Sequence, residues 1–318
     1  MKKLIICLLA GILVCQTGFS QEKRWAVVNL SVNNMRENPD YAAEMGDQSL
    51  MGTLVEIVGE DSYWKQIVNP KPYRAWVNEM GLTELTEAEK DAYLEAPKYI
   101  CTADYSHIWS EPSESSMRVC DFVAGDLVRQ CLDGKGKALK HKKFIKVLLP
   151  GGKTGWTLKG DVEDFAHWTS TRSATADEIL KTAYRFIGVP YLWGGTSIKG
   201  VDCSGLAWSA YFLNGVLLPR NASQQARVGA DIIPDIEHLM PGDLLFFGRA
   251  ATAEKPERVT HVGIYIGDGM YIHSSQVVRI NSLDPDSGAY SGRGPIRARR
   301  ILGDSSIPRI ATSPYYFK

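Results

Sequence analysis

Pro190-Tyr191-Leu192-Trp193-Gly194-Gly195-Thr196-Ser197-Ile198-Lys199-Gly200-Val201-Asp202-Cys203-Ser204-Gly205 is a glycine-rich loop that ends in a cysteine. The apolar run behind it predicts a helix that begins near Cys203 and continues through Phe212. A helix N-terminus holds unsatisfied N–H groups and the positive end of the dipole, which favour thiolate over thiol. The same groups can stabilise an oxyanion formed when a thiolate attacks a carbonyl. The polar and small neighbours Asp202, Ser204 and Gly205 argue against deep burial of this cysteine. Cys203 is therefore the candidate nucleophile.

A cysteine nucleophile needs a base, and the base needs a group to orient it. Two of the six histidines, His261 and His273, lie on consecutive strand-like segments, 261–266 and 270–274, around Asp268-Gly269. To cooperate they must project from one face of the hairpin. A two-residue turn at 268–269 would pair His273 with Ile264 and send the histidines to opposite faces. A connection of three or five residues restores a shared face, and that longer connection is expected despite the Asp-Gly signal for a tight turn.

Around this centre, Thr175-Ala176-Asp177-Glu178 reads as a capping box, and Ile179, Leu180, Ala183, Phe186 and Ile187 recur at helical spacing. With a further strand at 243–247, helices followed by consecutive strands predict an α+β region. Residues 25–165 look different: short strand-like runs at 25–30, 53–57, 64–68, 75–77, 126–131, 144–149 and 153–157, with one short helix near 86–94. The runs form a weak repeat, each copy closing on an aromatic-bearing strand, Tyr73-Arg74-Ala75-Trp76-Val77 and then Lys153-Thr154-Gly155-Trp156-Thr157.

Four motifs, in this order, resemble the NlpC-type family of papain-like cell-wall peptidases: the Pro190–Gly195 run, Asp202-Cys203-Ser204-Gly205, Pro241-Gly242-Asp243-Leu244-Leu245-Phe246-Phe247, and His261-Val262-Gly263-Ile264-Tyr265-Ile266-Gly267. The resemblance implies Cys203 as nucleophile, His261 as base and His273 as its orienting partner. The repeats in the first half resemble bacterial SH3-like domains. The expected architecture is thus multidomain: a signal peptide over 1–20, SH3-like all-β barrels over 21–95 and 96–168, and an α+β papain-like catalytic domain over 169–318. Together these features resemble γ-D-glutamyl-L-diamino acid endopeptidases, which release L-Ala-γ-D-Glu from peptidoglycan-derived peptides with a free N-terminal L-Ala. That resemblance places Tyr191, Asp202, Ser204 and Ser223 along the substrate site, with Glu44 and Tyr73 as candidates for recognising the free amine. Asp202 could pair with an ammonium group. Trp193 is expected to pack beneath the glycine loop, and Arg220 to be either a surface turn residue or a support for Ser223.

Composition narrows the alternatives. With 36 basic and 36 acidic residues, no long-range field draws the chain to nucleic acid. Lys2 and Lys3 precede an apolar run, Leu4 to Val14, and a small-x-small site at Gly18-Phe19-Ser20, which reads as an export signal. The run is shorter than the roughly 20 residues a membrane span needs, so no stable membrane insertion is expected. Beyond it stand Cys101, Cys120, Cys131 and Cys203, and one disulfide among the first three is an open possibility. No cofactor is expected and the protein is expected to be a monomer. A zinc site at Cys203, His261 and His273 is the rival chemistry, but it lacks the close-spaced ligand pairs of such sites. An intact-wall endopeptidase, an acyltransferase and an inactive wall-binding protein are the rival functions.

Overall fold

The computed structural model describes residues 23–318, and the expected export signal lies outside them. Residues 24–85 form a seven-stranded antiparallel sheet. Along its strands, alternate residues Ala26 and Val28, Val55 and Ile57, and Ala75 and Val77 turn to one apolar core, as the period of two requires. Helix Glu87–Glu95 follows, its first N–H groups satisfied by a reciprocal Thr86–Glu89 capping box. Residues 98–164 build an eight-stranded antiparallel sheet with a separate core around Ile108, Phe122, Val128 and Val147. The main strand pairings of both sheets run as open paths from one end strand to another, and no closed ring is present among the described residues.

Several strands escaped the sequence pattern, among them Val32–Arg36, Met45–Leu50 and Tyr105–Trp109. Helix Phe165–Thr171 was also unexpected; it straddles the expected division at 168/169 and buries Phe165 and Trp168 near the C-terminal Tyr316 and Phe317.

The last third is α+β. Helix Ala176–Tyr184 carries only half of its expected capping box, the Thr175 hydroxyl accepting from Glu178 N–H. A six-stranded sheet runs in spatial order Ala230–Ile232, Arg297–Arg300, Leu244–Arg249, Arg258–Gly267, Met270–Ser275 and Val277–Ser282. Helix Cys203–Phe212 lies on this sheet with every residue buried. A helix apolar all round needs cover on all sides. Val262, Ile264 and Ile272 of the sheet supply one side of that core, and Leu50, Val123 and Leu127 of the two preceding sheets supply another. Towards solvent the same regions are joined by ion pairs, Arg185 with Asp104 and Lys199 with Asp121. Cys101, Cys120 and Cys131 are all free thiols, so the possible disulfide does not form.

Candidate active site

Cys203 is the first residue of its helix, and Asp202 is the cap. One Asp202 oxygen accepts from Gly205 N–H at 2.7 Å, fixing the first turn. The glycines around the cysteine answer to close packing: a Cβ on Gly205 would lie 1.9 Å from the Gly195 carbonyl, and Gly194, at φ +77°, passes against the Met45 backbone. The loop therefore presses on the helix start from one side and on the first sheet from the other.

The two histidines share a face, as cooperation demands, but not through the longer connection expected. The turn has two residues, Asp268 and Gly269, both at positive φ and flanked by the pair Gly267–Met270. Parity is restored by a bulge at Ile266: Tyr265 pairs with Tyr271 and Ile264 with Ile272, which sets His273 opposite Gly263, two residues from His261. His261 Nε2 then meets His273 Nδ1 at 2.7 Å. His273 Nε2 lies 2.7 Å from Asn281 Oδ1, and Asn281 Nδ2 donates to the Ala289 carbonyl. Because that amide oxygen can only accept, His273 carries its proton on Nε2 and accepts from His261 Nε2–H on Nδ1. This leaves His261 Nδ1 as the basic nitrogen. Asn281, on a strand absent from the sequence reading, sets the tautomers of the whole row.

The N–H groups of Val262, next to His261, and of Ser204 point to the Cys203 sulfur. Burial and the neighbouring Asp202 nonetheless push the thiol up to about 11, against those N–H groups and Arg220. Burial, then His273 and Arg293, push His261 down to about 4. Burial also lowers His273. Cys203 and its neighbours Asp202 and Ser204 are buried, contrary to the expectation from their polar character, and the helix N-terminus does not outweigh that burial, so the resting pair is neutral thiol and neutral imidazole.

Behind the nucleophile runs a buried row of charges. Arg220, 1% exposed, donates to both oxygens of Asp202 (3.2 and 2.5 Å), to Ser204 Oγ at 2.8 Å and to Asp47 of the first sheet at 2.7 Å. Lys71 completes the row, bonded to Asp47 at 2.7 Å and lying 4.2 Å from the Trp208 ring centre. Arg220 is thus neither a surface turn residue nor a prop for Ser223. Asp202, which also accepts from Gly194 N–H at 2.9 Å, has both oxygens engaged within the protein.

In front of Cys203 opens a pocket of about 540 Å³ that takes in Asp202, Ser204, Ser223, Glu44 and Tyr73. It also takes in Glu37, Arg258 and Asn221, which the sequence reading missed. Tyr73 donates to Glu37 at 2.5 Å, and Glu37 and Glu44 face each other across a hairpin through the bond from Glu37 N–H to the Glu44 carbonyl. Trp193 is 56% exposed and lines this pocket rather than packing beneath the loop. Tyr191, expected along the substrate site, is not among the residues that line this pocket; burial, then Cys203 and Asp202, push its phenol up.

Residues 188–293 match the NlpC/P60 family model. The chain is 42% identical over 237 residues to a γ-D-glutamyl-L-lysine dipeptidyl-peptidase of Bacillus subtilis, spanning 71% of each chain. It is 31% identical over 255 residues to a protein of the same name from Bacillus cereus, across 77% of this chain and 71% of that one. A crystal structure of an NlpC/P60 family protein from Bacillus cereus superposes with a TM-score of 0.72 at 25% identity, covering 87% of this chain and 99% of the other. By these likenesses the chain belongs to the NlpC/P60 family of cysteine peptidases.

Proposed function

We propose that this enzyme cleaves the γ-D-Glu–L-diamino acid bond of peptidoglycan-derived peptides with a free N-terminal L-Ala, releasing L-Ala-γ-D-Glu. The observation that carries this reading is the wall of the Cys203 pocket supplied by the first sheet, where Glu37, Glu44 and Tyr73 close one side. Two carboxylates there suit an ammonium group, and Arg258 in the same pocket suits the free α-carboxylate of a γ-linked D-Glu. Asp202 is neutralised by Arg220, so its role is to hold the helix start and the pocket floor rather than to read the amine. In this reading the two N-terminal sheets are SH3-like modules, the first of them forming part of the specificity site, and the expected export would deliver the enzyme to its substrate.

Catalysis follows the acyl-transfer pattern. As Cys203 sulfur attacks the γ-carbonyl carbon, its proton passes to His261 Nδ1, and the N–H of Cys203 itself, at the positive end of the helix, receives the oxyanion. Collapse breaks the C–N bond, and His261 returns the proton to the departing amine. Water, deprotonated by His261, then adds to the thioester and expels the Cys203 thiolate, which regains a proton. His273, held by Asn281, keeps the His261 ring aligned through both steps.

The test is mass spectrometry of products from murein tripeptides whose L-Ala is free or muramyl-capped. The free peptide should yield L-Ala-γ-D-Glu, the capped one should resist, and Cys203→Ala should abolish release. Equal cleavage of both peptides would replace this reading with an intact-wall endopeptidase, and unchanged turnover by Cys203→Ala would remove the nucleophile.

A further inference from the structure

Across His261 from the dipeptide pocket lies a second cleft of about 600 Å³, and Thr260 borders both. His261 must return its proton to the departing amine, so in the reading above this second cleft receives the leaving group. Its charge is one-sided. Arg279, on strand Val277–Ser282, and Arg293, in the loop that follows, both line it, and no carboxylate does. Neither guanidinium makes an ion pair or a side-chain hydrogen bond among the described residues, whereas Arg297, Arg299 and Arg300 nearby are all bonded. The loop that carries Arg293 is fastened to the sheet. Tyr271 Oη meets Ser291 Oγ at 2.7 Å, and the Ala289 carbonyl accepts from Ser282 N–H and from Asn281. Both guanidiniums also act on the histidine row, Arg293 on His261 and Arg279 on His273.

The diamino acids that follow γ-D-Glu differ at the end of the side chain. L-Lysine ends in an ammonium group alone, while diaminopimelate adds a carboxylate to the same carbon. Two unpaired guanidiniums repel the first and can take the second in bidentate hydrogen bonds. We infer that Arg279 and Arg293 make this cleft a carboxylate-reading site for the leaving diamino acid, so that the enzyme prefers diaminopimelate over L-lysine at the third position. The inference rests on the dipeptide-releasing reading and departs from the L-lysine in the names of the related Bacillus proteins.

The test uses three synthetic tripeptides, L-Ala-γ-D-Glu followed by meso-diaminopimelate, L-lysine or L-2-aminopimelate. The last keeps the side-chain carboxylate and lacks the ammonium. All three release the same dipeptide, so differences report on the leaving group alone. The two carboxylate-bearing peptides should exceed the lysine peptide by about tenfold or more in kcat/KM. In the double variant Arg279→Gln/Arg293→Gln that ratio should shrink several-fold, mainly through KM, and Arg279→Lys/Arg293→Lys should restore part of it. Equal kcat/KM for the three peptides, or a double variant that lowers all three alike, overturns the carboxylate site and leaves the dipeptide-releasing reading standing. Cleavage of none by the parent enzyme overturns that reading and this inference with it.

Discussion

The catalytic region is joined to its neighbours by two ionic seams of opposite character. The inner one, Asp47–Arg220–Asp202 with Lys71, is almost wholly excluded from solvent and ends at the cap of the Cys203 helix. The outer one, Arg185–Asp104 and Lys199–Asp121, is a third to a half exposed and touches no residue of the active site. Charge counting would treat the two alike. Dielectric surroundings do not: a pair in water contributes little, whereas removing one partner of a buried pair strands a charge. The inner seam therefore ties the position of the first sheet, and with it Glu37, Glu44 and Tyr73, to the helix that presents the nucleophile.

The contrast is easiest to break at Asp47. Asp47→Ala should lower the unfolding free energy by about 3–5 kcal/mol, seen as a fall in urea midpoint at constant slope. It should also lower kcat/KM on the free tripeptide. A midpoint equal to that of the parent would mean that the seam is ornamental. A smaller effect concerns pH. A base depressed by burial is neutral, and so competent, above its own pKa and is lost as pH falls through it. The acid limb of kcat/KM should therefore lie near pH 4, the value to which His261 is pushed, instead of the ordinary 6.5. A limb close to 6.5 would show His261 to be as well hydrated as the outer seam. The smallest effect belongs to that outer seam: Asp104→Ala and Asp121→Ala should each cost less than about 1 kcal/mol and leave tripeptide turnover as it was. A loss comparable to that of Asp47→Ala would erase the distinction.

What could be read from the chain follows the range of the interactions involved. Helix Cys203–Phe212 and strand Trp64–Val68 match the expected segments because hydrophobic pattern and local caps decide them. Arg220 was opaque because its Asp47 partner lies 173 residues away, and no local signal marks an arginine for burial. Glu37 and Asn281 were missed for a related reason. Each sits on or beside a strand with no clear alternation, Val32–Arg36 or Val277–Ser282, and each reaches the site through a neighbouring strand's register. The hairpin is the instructive case. The parity argument was right about the shared face, and the Asp-Gly signal was right about the turn. The bulge at Ile266 reconciles them, and Ile266 itself carries no mark that would reveal it.

The bulge at Ile266 sets a condition on register, not on length. His273 can reach His261 because the strands stay in the register that sets it opposite Gly263. With the two histidines 12 residues apart, turn and bulge residues must total an odd number. Closing the bulge around the same two-residue turn would set His273 against Ile264 and turn it to the wrong side of the sheet. A hairpin tip transplanted from another protein can thus be longer or shorter, provided that its own turn and bulge absorb the difference and the strands below do not slip. Inactivity in such a graft would be a fault of register, not of chemistry.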